Sequence, residues 1–181
     1  MAKKFLLIVA WYGIALLGCS KSNGDGGAAS NNNHAAANSS NAVSEEEKLP
    51  DFTLKTLAGE TINLRSLEGQ KVVVVNFWAT WCGPCRHEIP DFNDVYSRYR
   101  DRGVEMLGIS VDQSPETEVP SFLQTNPINY PVLAGSPELT YKYSIRGLPT
   151  TFIIDRSGRI TKRIVGMTKA ATLEAELEKL L

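Results

Sequence analysis

A run of near-continuous apolar residues, Val72-Val73-Val74-Val75-Asn76-Phe77-Trp78, leads almost at once into Trp81-Cys82-Gly83-Pro84-Cys85. An apolar stretch this rich in β-branched side chains fits a strand buried on both faces, which demands a covering layer above and below its sheet. From Pro84 to Arg102 the period changes: Ile89, Phe92, Val95, Tyr96 and Tyr99 recur at spacings of three and four, the stripe of a helix lying on a sheet. The cysteines therefore fall where a central strand hands over to a helix. Cys82 stands at or just before the helix N-terminus, where unpaired N–H groups and the positive end of the macrodipole favour thiolate over thiol. It is the expected nucleophile. Cys85, in the first turn, is near enough to close a disulfide with Cys82 and more shielded by the helix that carries it. It is the expected resolving thiol.

Taken alone, C-x-x-C is weak evidence, because the same spacing serves half of a zinc site or a haem attachment motif. Haem attachment needs histidine directly after the second cysteine, and Arg86 stands there. A permanent structural disulfide is the plain alternative, disfavoured by the helix-start position between Trp81 and Pro84. Composition narrows the rest. With 181 residues, 43% hydrophobic and 22% charged, the chain suits one globular domain with something attached. A net charge of -1 leaves no basic footprint, so nucleic acid is not an expected partner.

The attachment is at the N-terminus. Lys3 and Lys4 precede an apolar run from Phe5 to Leu17, too short to span a membrane comfortably and suited to the core of a signal peptide. It ends in Leu16-Leu17-Gly18-Cys19, which resembles the lipobox of bacterial lipoproteins. That resemblance implies removal of residues 1–18 and acylation of Cys19, anchoring the chain to membrane lipid. An ordinary cleaved signal or an uncleaved anchor is the alternative. In Gram-negative lipoproteins a residue other than aspartate after the cysteine, here Ser20, usually implies outer-membrane sorting. Residues 19–45, rich in Gly, Ser, Asn and Ala, cannot bury enough apolar surface to offset ordering and read as a flexible tether, His34 within it being inert. Such a coil reaches about 30 Å. The folded domain is expected over residues 46–181.

Within it, Leu49 to Leu54 and Thr61 to Leu64 alternate like the arms of a hairpin turning at Ala58-Gly59-Glu60. One helical turn is expected at Ser66 to Glu68, the central strand at Lys71 to Phe77, and a further buried strand at Val104 to Val111. Next come a helix from Thr117 or Val119 to Thr125, with Pro120 tolerated only in its first turn, a short strand at Tyr130 to Leu133 and a helix near Pro137 to Tyr143. Thr150 to Ile154 and Ile160 to Val165 flank the turn Asp155-Arg156-Ser157-Gly158 as a terminal hairpin. Thr168 is expected to cap a last helix with Leu173, Leu177, Leu180 and Leu181 on one face.

Phe77-Trp78-Ala79-Thr80-Trp81-Cys82-Gly83-Pro84-Cys85 resembles the active-site segment of thioredoxin-like proteins. Glu88, Pro90 and the later Arg146-Gly147-Leu148-Pro149-Thr150-Thr151-Phe152 narrow the resemblance to membrane-tethered thiol-disulfide oxidoreductases of the TlpA/ResA type, over roughly Leu49 to Leu181. It implies an α/β fold: a thioredoxin-like three-layer sandwich with a mixed central sheet, the hairpin as an N-terminal extension, and a helix and strand inserted between Ser114 and Leu133. It implies a cis peptide bond between Leu148 and Pro149 beside the Cys82–Cys85 redox disulfide, turning the Leu148 backbone towards a substrate strand while keeping metal off the thiols. Trp81 would flank the disulfide as a contact surface, and Trp78 would pack in the core. Gly83-Pro84 is the pair of thioredoxin itself, a reducing protein, which favours reduction over oxidation.

Glu88 falls one turn after Cys85 on the same side of the helix. A partly buried carboxyl there would have a raised pKa and could exchange a proton with Cys85. Thioredoxin has a buried aspartate six residues before its first cysteine; Asn76 occupies that place and cannot titrate, which leaves Glu88 as the catalytic acid or base, unless it is a solvated helix residue. Pro90 should kink the helix. His87 reads as a surface residue; a copper-binding assembly factor of related fold would use C-x-x-x-C, one residue longer. Thiol peroxidases need Pro and Thr or Ser seven and three residues before their cysteine, where this chain has Val75 and Ala79. The expected protein is therefore an extracytoplasmic, lipid-anchored monomer with no cofactor or metal. Its expected partners are disulfide-containing protein substrates, apocytochrome c among the candidates by resemblance, and a membrane electron donor.

Overall fold

A computed structural model describes residues 47–181; the signal segment, Cys19 and the tether lie outside the described residues. Two short strands, β1 (Thr53–Lys55) and β2 (Thr61–Asn63), pair antiparallel. A 3-10 turn, Leu64–Leu67, then leads to β3 (Val72–Trp78), in which every residue is buried. The helix α1 (Gly83–Tyr99) and a 3-10 turn, Arg100–Arg102, return the chain to β4 (Val104–Ser110). There follow α2 (Pro115–Leu123), β5 (Val132–Ala134), α3 (Pro137–Lys142), β6 (Thr150–Ile154), β7 (Ile160–Val165) and α4 (Ala170–Leu177). Among the described residues no helix is long and apolar enough to cross a membrane.

The main sheet has the order β5-β4-β3-β6-β7. Its β3–β4 and β4–β5 pairs are parallel, and its β3–β6 and β6–β7 pairs are antiparallel. Alternation along β3 divides the core. Val72 and Val74 pack with Phe92 and Val95 of α1 and Leu173 and Leu177 of α4. Val73, Val75 and Phe77 face the opposite layer, where Leu49, Phe52, Leu64, Val119 and Tyr143 gather. This is the expected three-layer α/β sandwich. The β1–β2 hairpin is a separate sheet rather than a direct continuation of the main one, joined to the outer margin of β5 by the Thr56–Leu133 bridge and by Leu57 N–H donating to Val132 C=O at 2.9 Å.

Three local expectations are corrected. Helix α2 begins at Pro115, and Pro120 lies inside it rather than in its first turn. Ser114 starts the helix, its C=O accepting from Thr117 and Glu118 while its N–H donates to the Glu118 carboxylate. The bond that Pro120 cannot make would have reached Glu116, and both residues are exposed, a setting in which a freed carbonyl can turn to solvent. At α4 the cap position belongs to Lys169, whose side chain makes no capping bond, and Thr168 is buried one residue earlier. The first helical N–H, from Ala170, instead donates to Asp91 on α1 at 3.1 Å. Leu181 does not join the apolar stripe and is exposed.

Candidate active site

Cys82 and Cys85 form a disulfide at the start of α1, with Cα atoms 5.3 Å apart. Cys82 is the N-cap: its backbone is extended, and its sulfur accepts from the Cys85 N–H at 3.3 Å. Gly83 and Pro84 occupy the first helical positions, where a missing N–H costs nothing because no partner exists for it. In this oxidised form both residues are buried, Cys82 at 5% and Cys85 at 1% exposure, whereas Trp81 beside them is 69% exposed.

A groove of about 680 Å³ opens over the disulfide, with Trp81, Cys82, Val111, Pro137, Ile145 and Leu148 on its walls. The Leu148–Pro149 peptide bond is cis. Pro149 C=O accepts from Gly166 N–H at 2.8 Å and Gly147 C=O from the Thr150 hydroxyl at 2.7 Å, fixing the loop on both sides of Leu148. The N–H and C=O of Leu148 have no partner among the described residues. Leu148 also borders a second hollow of about 620 Å³, with Pro84, Met167 and Gly166.

One helical turn after Cys85 on α1, Glu88 centres a buried polar network. Glu88, 2% exposed, accepts from Asn76 Nδ2 at 2.9 Å on one carboxyl oxygen and from Thr168 N–H at 2.9 Å on the other. Asn76 also donates to the Thr151 hydroxyl at 3.1 Å. Burial pushes the Glu88 carboxyl up to about 7, the charge of Asp91 adds to the rise, and the bonds from Thr168 and Asn76 oppose it. Burial, reinforced by the charge of Glu88, likewise raises the Tyr130 phenol. Asn76 thus stands where thioredoxin carries its acid and holds a carboxyl supplied by the next helix.

The sequence matches the model of the AhpC/TSA family over residues 46–163. Thiol-disulfide oxidoreductase ResA of Bacillus cereus is 35% identical over 135 residues, 74% of this chain and 77% of that protein. Thioredoxin-like protein YneN of Bacillus subtilis (strain 168) is 34% identical, over 75% of this chain and 80% of that protein. Among solved structures, a thiol:disulfide interchange protein of the thioredoxin family from Chlorobium tepidum TLS superposes with a TM-score of 0.67 at 36% identity, over 77% of this chain and 99% of that one. The chain belongs to the AhpC/TSA family and is a ResA-like thiol-disulfide oxidoreductase.

Two residues of this oxidoreductase that sequence reasoning passed over hold the approach to its disulfide. Asp112, fully buried just beyond β4, accepts from the Thr80 N–H at 3.1 and 3.2 Å, from the Thr80 hydroxyl at 2.8 Å and from the Ser110 hydroxyl at 2.7 Å. Thr80 is thereby pinned one residue before Trp81. The signal in the sequence was a carboxylate at the carboxyl end of a buried strand, where open α/β sheets gather their sites. Arg86, next to Cys85, lies over the Phe122 ring, which in turn packs on Trp78, tying α2 to the start of α1. His87 is exposed, with Nδ1 2.9 Å from the Gly83 carbonyl oxygen. Val75 and Ala79 are buried apolar residues, so the two places that a thiol peroxidase reserves for its active-site Pro and Thr or Ser supply neither.

Proposed function

We propose that this oxidoreductase reduces protein disulfides outside the cytoplasm, with Cys82 as nucleophile, Cys85 as resolving thiol and Glu88 as the proton-exchanging group, held to a membrane by acylated Cys19. The observation that carries the reading is the Cys82 sulfur at the helix N-cap, on the wall of a groove that also presents the unpaired backbone of Leu148. In the dithiol form the Cys82 thiolate attacks one substrate sulfur, forming a mixed disulfide and releasing the other as thiolate. Cys85, losing its proton to Glu88, then attacks the Cys82 sulfur. The second substrate thiol leaves and the Cys82–Cys85 disulfide forms again. Two electrons have passed to the substrate, and a membrane electron donor returns them. Trp81, Leu148 and Pro149 hold the substrate chain. Gly83-Pro84 supports the reducing direction, and resemblance to the TlpA/ResA type supports apocytochrome c as one substrate.

Insulin reduction driven by dithiothreitol tests the assignment. Cys82→Ser should fall to the rate of dithiothreitol alone, and retained activity would falsify the role of Cys82. A thiol peroxidase would consume peroxide rapidly, and a copper-binding factor would copurify with stoichiometric Cu(I); neither is expected of this site.

A further inference from the structure

The groove over the disulfide is walled by apolar and uncharged side chains with one exception, Arg146, the one charged residue among the described residues that line it. Its side chain is also exceptional among the arginines. Arg65, Arg98, Arg100, Arg102 and Arg159 each meet a carboxylate. Arg156 and Arg163 donate to backbone carbonyls, and Arg86 covers an aromatic ring. Arg146 is exposed and, among the described residues, has no hydrogen bond, ion pair or ring contact. Asp112, next to Val111 on the groove wall, is committed to Thr80 and Ser110.

An unpaired guanidinium on an otherwise apolar wall is suited to an arriving anion, because its planar fork matches a carboxylate and the wall lowers the local dielectric. Arg146 stands two residues before Leu148, whose N–H and C=O are open to a substrate strand. In extended chains alternate residues share a face, so the partner of Arg146 falls close in sequence to the sulfur under attack. We infer that Arg146 selects polypeptides bearing an aspartate or glutamate within about two residues of the cysteine attacked by Cys82. The inference rests on the proposed roles of Cys82 and of the groove.

Three disulfide-closed peptides, identical except for Glu, Gln or Lys two residues before the first cysteine, test it. Pre-reduced protein is mixed with each in single turnover, so that both electrons come from its own dithiol. The wild type should reduce the Glu peptide faster than the Lys peptide by about five- to tenfold at low ionic strength, a ratio that shrinks with added salt. The ratio should approach one in Arg146→Gln and invert in Arg146→Glu. A wild-type ratio near one, or a ratio that ignores both substitutions, overturns the inference while leaving the reductase reading intact. Failure of the wild type to reduce any of the three overturns both.

Discussion

Glu88 is a carboxyl that the fold prefers protonated. Its folded pKa of about 7 lies above the ordinary 4.5, so between these values the native state binds a proton that the unfolded chain releases. The stability it contributes is fully present below about pH 4.5 and is lost as pH rises through about 7, a swing of about 3 kcal/mol. The urea midpoint of the oxidised protein should therefore fall from about pH 5 to about pH 8, and Glu88→Gln should flatten the slope. Equal slopes in the two proteins would assign the titration to another group. The same substitution should flatten the pH–rate profile of disulfide exchange if the carboxyl handles the Cys85 proton. Spacing alone placed Glu88 near the disulfide, because residues three apart lie about one helical turn from each other. Its partners were not legible, since Asn76 and Thr168 come from two other parts of the chain, and the Thr151 hydroxyl that Asn76 also meets comes from a third.

The connection between β3 and α1 is held from outside itself. Asp112→Ala would strip Thr80 of its acceptor and leave the buried Ser110 hydroxyl with no acceptor for its proton, though still accepting from the backbone N–H of residue 112, a cost of about 2–4 kcal/mol. The midpoint of urea unfolding should drop accordingly, and alkylation of reduced Cys82 should change in rate as Trp81 and its neighbours loosen; an unchanged midpoint would show that the clamp carries no stability. Elements with a strong period were readable: β3, β4, the β6–β7 hairpin and α1 lie within a few residues of where apolar spacing put them. Helix ends were not, because their orphan groups are answered by tertiary partners. Asp91 reaches α4 from another helix, and Pro120 is tolerated within α2 because its face meets water. The Asp112 clamp escaped for the same reason, since Thr80 belongs to a different loop and meets it only on folding.

For the molecule as a whole, the proposed acylation of Cys19 would put the domain on a leash. Cys19→Ser should abolish labelling by radioactive palmitate in bacterial cells and move the protein from the detergent phase to the aqueous phase; an unmodified wild type would remove the anchor. Tethered proteins meet their own copies at high local density, and there the margins of a sheet become a hazard. One margin here, β5, is stoppered by the chain between β1 and β2 through Thr56 and Leu57. The other, β7, carries exposed Thr161, Lys162 and Arg163 in mid-strand. Neither offers a neighbour a flat, greasy template, so the small hairpin that adds so little to the core acts as a guard against polymerising strand upon strand.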